Sequence, residues 1–284
     1  MTAANTAPTG DNRVVLLRRP RDSRLDWLCT HIARNRFLPV PPVDQQFVGD
    51  GDFRAIGTEF LRHFVQLGGL MPHHRVLEVG CGIGRMALPL TQYLDGGYDG
   101  VDVVEDGIRW CADTITPAYP QFRFHHLDVA NGLYNPGGRI EAAAAVLPFE
   151  AGSVDFVILT SVITHLRTVE TARYAAETAR LLKPGGRVFL SLFLVDGMAR
   201  EGIRARTARP AFDPDEAGPE FIADPTTPNA AVAYDETFLL GLFAAQGLRP
   251  ARPVARGHWS GRRDTENFQD LLVLEKPVAR ETLR

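Results

Sequence analysis

Apolar residues recur along this chain in two alternating rhythms. Between residues 53 and 67, Ile56, Phe60, Leu61, Phe64 and Leu67 return at helical spacing, and Gly68-Gly69 supplies a natural stop. Beyond it, short β-rich runs at 75–79, 98–103, 122–126, 154–160 and 187–194 alternate with helical patterns at 86–93, 105–114 and 169–182. The last of these helices presents Ala172, Ala176, Ala179 and Leu182 on one stripe. It stops at Lys183-Pro184-Gly185-Gly186, where proline cannot continue it and glycine permits reversal, so the next strand starts immediately. Such alternation predicts an α/β fold, a doubly wound and mostly parallel sheet with helices on both faces.

The two ends of the chain break this rhythm. Residues 1–42 mix polar residues, arginines and prolines around one short helix at 25–33, and read as a flexible arm. After Leu194, a stretch to about Ala233 rich in Pro, Asp and Ala has no clear strand pattern and exceeds a simple connection, so it reads as a lid or substrate wall. A helix at 236–245 and runs near 248–256 and 268–275 then complete seven strands as an antiparallel pair joined by a long polar loop.

The chemistry concentrates in Arg75-Val-Leu-Glu78-Val-Gly80-Cys81-Gly82-Ile83-Gly84-Arg85, a buried strand followed by three glycines at alternate positions. Glycines there let backbone pass close under a ligand, because a Cβ would occupy its space. A dinucleotide-binding loop places its third glycine one residue later, where this chain has Arg85. The second strand ends in Asp102, about twenty residues beyond the glycines, where a carboxylate can accept from both hydroxyls of a ribose.

With these residues the chain resembles the class I S-adenosylmethionine-dependent methyltransferases, most specifically over 75–194. The resemblance implies that S-adenosylmethionine is the cofactor, that Glu78, Gly80, Gly82 and Gly84 form the loop around its methionine part, and that Asp102 and Val103 hold its ribose. It implies Asp128 for the adenine amino group, with Val129 beside the ring. Leu147-Pro148-Phe149, Ser153-Val154-Asp155 and Leu182-Lys183-Pro184-Gly185-Gly186 follow in the family's order. One departure is an insertion, Ala130 to Val146, between Asp128 and the Leu-Pro-Phe element. On this reading residues 1–45 are an N-terminal arm or lid, 46–284 the methyltransferase domain, and 196–234 a lid or substrate-wall insertion.

The fourth strand ends in Leu159-Thr160-Ser161-Val162-Ile163-Thr164-His165, which places Thr160, Ser161 and His165 above the carboxyl edge of the sheet, where α/β folds bind ligands. His165 titrates near neutrality and is a candidate general base, competing with His258 in the loop Gly257-His258-Trp259-Ser260-Gly261-Arg262. Asp155 reads as structural. No carboxylate cluster suggests a metal. Arg200, Arg204, Arg206, Arg209, Arg262 and Arg263 read mainly as a solvated face, with an anionic acceptor group as the alternative.

Thirty-one basic against 34 acidic residues, spread along the chain, leave a net charge of −3 and no basic face for nucleic acid. Apolar runs fall short of the roughly 20 residues that cross a bilayer, and the first ten residues lack a secretory pattern. Cys29, Cys81 and Cys111 cannot pair completely, which fits a reducing, cytoplasmic setting and ordinary packing. The expected acceptor is a small metabolite, sugar or natural product, methylated on oxygen; N- or C-methylation and a non-catalytic S-adenosylmethionine-binding protein are the alternatives. A nicotinamide oxidoreductase and an enzyme that uses the sulfonium without methylating are further rivals. Trp27 and Phe37 are candidates to cover the site or to dock a second copy as a homodimer.

Overall fold

The computed structural model describes residues 23–49, 51–215 and 218–278. The expected arm over residues 1–22 lies outside them. Helix α1 (Ser23–Arg34) buries Leu25, Cys29 and Ile32 against α2 (Phe53–Gln66), whose N-cap Asp52 accepts from the Ala55 amide. Trp27 and Phe37 stay 62% and 83% exposed, away from the central cavity described below.

The α/β alternation is present. Strands β1 (Val76–Val79), β2 (Tyr98–Asp102), β3 (Phe122–His126), β4 (Val154–Thr160) and β5 (Leu182–Leu192) run parallel in spatial order 3-2-1-4-5. The order reverses between β1 and β4, which opens a crevice at their carboxyl ends. Helices α3 (Ala87–Leu90), α4 (Glu105–Thr114) and α5 (Thr168–Leu181) connect them. Apolar clusters fill both sides of the sheet, one around Leu77, Val157 and Leu190, the other around Phe64, Phe156 and Phe189.

Three local outcomes differ from the pattern. Helix α3 covers one turn of the expected 86–93 segment, and Pro89 within it has no amide to donate. The Lys183-Pro184-Gly185-Gly186 segment is not a gap between helix and strand: β5 runs from Leu182, and these residues bulge out between the pairs Val154–Leu182 and Phe156–Arg187. Lys183 then reaches Asp155 at 2.8 Å, giving that acid its structural role. The post-194 stretch carries real structure: β6 (Leu194–Val195), α6 (Gly197–Arg204), β7 (Glu220–Ile222) and β8 (Val232–Asp235), with β6, β8 and β7 forming a small separate sheet. Strands of two to four residues are too short to show alternation, so their formation depends on burying Phe193, Phe212 and Phe221 around Trp259.

After α7 (Glu236–Ala244), β10 (Asp270–Glu275) lies antiparallel to β5 and pairs with a two-residue β9 (Arg249–Pro250) at the sheet edge. The buried Asp270 carboxylate fastens the small sheet to the large one, accepting from the Leu194 amide, the Gly257 amide and the Trp259 indole at 2.7–2.9 Å. Among the described residues no helix is long and apolar enough to cross a membrane.

Candidate active site

A cavity of about 420 Å³ opens at the carboxyl ends of β1, β2, β4 and β5. That volume falls within the roughly 300–1,000 Å³ of small-molecule sites. One wall is the loop after β1. Gly80 and Gly82 both adopt positive φ, +75° and +55°. A Cβ on Gly80 would stand 2.5 Å from Val162, and one on Gly82 would stand 2.5 Å from Val48, so the loop closes against its neighbours only without side chains.

Asp102 ties this loop to β2. Its Oδ2 accepts from the Gly82 amide at 2.6 Å and its Oδ1 from the Val104 amide at 2.9 Å. Burial raises its pKa above the usual carboxylate range, and these backbone donors offset only part of the rise. Val103 and Val129 line the cavity beside it, and Thr160 and Ser161 line it from β4.

Three other cofactor candidates lie off the cavity wall. Glu78 is buried beneath the loop, where the Tyr98 hydroxyl donates to it and burial pushes its pKa up to about 8. Gly84 packs on α4, where a Cβ would meet the Cys111 sulfur at 2.8 Å. Asp128 is engaged elsewhere: Arg139 pairs with its carboxylate and Asn135 donates to it at 3.4 Å. Both partners come from the 130–146 insertion, which redirects this acid; Arg139 holds its pKa below the usual carboxylate range.

His165 lines the cavity at a 3-10 turn after β4. Its Nδ1 lies 2.8 Å from the Asn229 carbonyl, and because a carbonyl only accepts, the proton sits on Nδ1 and Nε2 keeps its lone pair. Burial lowers the imidazole pKa, with the Asn229 bond opposing it. The two insertions meet here, for the side-chain amides of Asn131 and Asn229 both donate to the His165 carbonyl, at 3.3 and 2.8 Å. Tyr134 sets its ring edge-on to the imidazole at 5.3 Å.

His258 is placed differently. It is exposed on a 3-10 turn, against Phe268, and is not part of the cavity wall, because its loop turns inward through Trp259 instead. The arginines of the lid and of the final loop are also off the wall: Arg200 pairs with Asp235 and Arg262 with Asp196, and Arg209 donates to the Ala208 carbonyl.

Several wall residues were not singled out by sequence. Asn131 and Tyr134 come from the insertion, which was itself visible as a departure. Gln269, at the start of the expected run at 268–275, carried no signal. Arg85 registered only as a missing glycine, yet it lines the cavity with its Nε buried and unpartnered among the described residues, while Nη1 donates to the Gly49 carbonyl at 3.3 Å. Among the described residues no group of three or more His, Cys, Asp and Glu side chains is arranged to hold a metal ion.

Residues 77–190 match the family described as Methyltransferase domain. That stretch, from β1 into β5, resembles a methyltransferase domain. A curated relative of this chain in Haemophilus influenzae, described as an uncharacterized protein, is 32% identical over 139 residues. The match takes 49% of this chain, and the chain spans about half the length of that relative. Three solved structures share the fold at low identity. A Pyrococcus horikoshii OT3 protein is 18% identical, with 82% of this chain and 94% of that one covered and a TM-score of 0.56. An S-adenosylmethionine-dependent methyltransferase from Methanosarcina mazei is 20% identical, covering 75% and 97%, at a TM-score of 0.50. The magnesium protoporphyrin IX methyltransferase of Synechocystis PCC 6803, with bound S-adenosylhomocysteine, is 18% identical, covering 80% and 90%, also at 0.50.

The cavity fits S-adenosylmethionine. A loop with glycine at 80 and 82, a carboxylate at the end of β2 and the apolar Val103 and Val129 converge on one space, which matches an amino-acid chain, a ribose and a purine in turn.

Proposed function

We propose that this chain transfers a methyl group from S-adenosylmethionine to an oxygen of a small metabolite, sugar or natural product. The observation that carries the reading is that one cavity joins the Gly80–Gly82 loop and Asp102 to His165, whose tautomer leaves Nε2 free to take a proton. When bound, the cofactor supplies an electrophilic methyl carbon on a sulfonium.

Gly80, Gly82, Thr160 and Ser161 would hold its amino-acid end, Asp102 its ribose hydroxyls, and Val103 and Val129 its adenine. Arg85 offers a cation to the carboxylate. Phe60, Phe193 and Tyr134 shield the space from water. Held against the methyl-bearing end, an acceptor hydroxyl gives its proton to His165 Nε2, while proximity and alignment do most of the remaining work.

Calorimetric titration with S-adenosylhomocysteine, repeated on Asp102→Ala, tests the cofactor assignment. Incubation of the protein with methyl-labelled S-adenosylmethionine and a panel of hydroxylated small molecules tests the transfer. Absence of S-adenosylhomocysteine binding would end the reading, and label recovered only on nitrogen or carbon would end its oxygen-acceptor part.

A further inference from the structure

Phe60, Phe193, Pro210, Ala230 and Ala231 give the cavity apolar lining, and Gln269 adds an amide to it. That amide stands immediately before β10, above the ends of β4 and β5, and two serines grip it. Ser161 Oγ lies 2.9 Å and Ser191 Oγ 2.6 Å from its Oε1.

The orientation of the amide follows from proton counting. Ser191 is fully buried, and its Oγ already accepts from the Ser161 amide at 3.0 Å. Its own hydroxyl proton then needs an acceptor, and the Gln269 oxygen stands within reach; a flipped amide would leave that proton buried without one. Ser161 Oγ likewise donates to Oε1. Both serines therefore face the oxygen, and the Nε2H2 group of this half-buried side chain is left on the other side, making no hydrogen bond to the described residues.

The arrangement includes backbone strain. Ser161 is a non-glycine residue at φ +58°, and its amide and hydroxyl are secured by the same Ser191–Gln269 pair. Strain of this kind persists where surrounding contacts over-determine a geometry, and it concentrates at ligand sites. A donor fixed in advance, beside apolar lining, discriminates by what it leaves unpaired when the wrong ligand binds.

We infer that the Gln269 amide is the acceptor-recognition donor of this site, its Nε2H2 binding a neutral carbonyl or hydroxyl oxygen on an otherwise apolar acceptor. The assignment of that oxygen to the methyl acceptor rests on the methyltransferase reading. Neutrality follows from the arginines nearby: Arg200 of the lid and Arg262 of the loop before β10 lie off the wall, spent on Asp235 and Asp196, while Arg85, which lines the cavity, belongs to the glycine-loop side.

The test uses two probes that differ by one oxygen, 4-hydroxyacetophenone and 4-ethylphenol, titrated into nitrogen-15-labelled protein with and without S-adenosylhomocysteine. The Gln269 side-chain NH2 signals, assigned by their loss in Gln269→Glu, are expected to move with the ketone and not with the ethyl compound. The ketone should bind about threefold to tenfold more tightly, the range of one hydrogen bond. In Gln269→Glu at pH 8, which keeps an oxygen for both serines and replaces the donor, that preference should vanish or reverse. Ser191→Ala, which releases the amide, should weaken it.

Equal binding of the two probes to the unaltered protein, or Gln269 NH2 signals that shift with S-adenosylhomocysteine alone, would overturn the inference. If S-adenosylhomocysteine does not bind while the ketone preference persists, the donor stands and the methyltransferase reading falls.

Discussion

The Asp102 carboxylate accepts the Gly82 amide at 2.6 Å, so the end of β2 and the glycine loop after β1 are one unit. Two elements separated by twenty residues thus share a single anionic pin, and the cofactor loop is shaped before any ligand arrives.

Replacing Asp102 by Ala is therefore expected to act twice, by releasing the loop and by removing the acceptor for the ribose. Hydrogen bonds to charged groups contribute roughly 1.5–3 kcal/mol, which corresponds to about a 10- to 150-fold loss of S-adenosylhomocysteine affinity. Calorimetry reads it directly, and unchanged affinity would remove Asp102 from the site.

His165→Gln should lower kcat for a hydroxyl acceptor by about 100-fold or more, the usual contribution of a positioned base, with S-adenosylhomocysteine affinity little changed. Burial holds the imidazole pKa below its ordinary 6.5. Activity depends on the neutral ring, so the midpoint of its acid-side fall should lie below pH 6.5. A rate profile that is flat in acid, or a variant within a few-fold of the parent, would exclude His165 as the base.

Gly80→Ala puts a methyl group 2.5 Å from Val162 at φ +75°, and both terms are unfavourable. Strain and overpacking together should cost roughly 1–3 kcal/mol and weaken cofactor binding as the loop shifts. Thermal unfolding with and without S-adenosylhomocysteine separates the two effects. A variant that melts and binds like the parent would show the loop to be more adaptable than this geometry allows.

Glu78 links stability to pH. Its folded pKa of about 8 lies above its ordinary 4.5, so the folded protein keeps a proton that the unfolded chain releases. Its contribution is fully present below pH 4.5, declines as pH rises from 4.5 to 8, and is then constant, a loss on the order of a few kcal/mol. Glu78→Gln keeps an acceptor for the Tyr98 hydroxyl and cannot ionise, so its melting temperature should fall less across that window. Parallel melting profiles for the two proteins would refute the assignment.

Much of the scaffold was legible because the signals are local. The apolar runs of β3 and β4 have the bounds that their side-chain pattern indicates, and a helix of three turns such as α4 repeats its stripe often enough to be seen. Gly80, Gly82 and Asp102 were readable for the same reason: a turn that must carry positive φ, and an acid at a strand end, are demands of the backbone at those positions. The small sheet of β6, β8 and β7 was not readable, since its short strands are defined by burial around Trp259 and by Asp270, which lies far along the chain.

The side chains of the site divide in the same way. That an α/β sheet would present a glycine loop, Asp102, Thr160, Ser161 and His165 at one edge could be read from the chain, because each sits at the end of a recognisable strand. Only the tertiary structure decided that Arg139 would draw Asp128 off the wall, that His258 would face outward, and that Asn131 and Asn229 would converge on His165. It alone brought Gln269 onto Ser161, 108 positions away. Hydrogen bonds across such separations leave no periodicity in the chain, since their partners are chosen by how the layers pack rather than by what lies next to them in sequence.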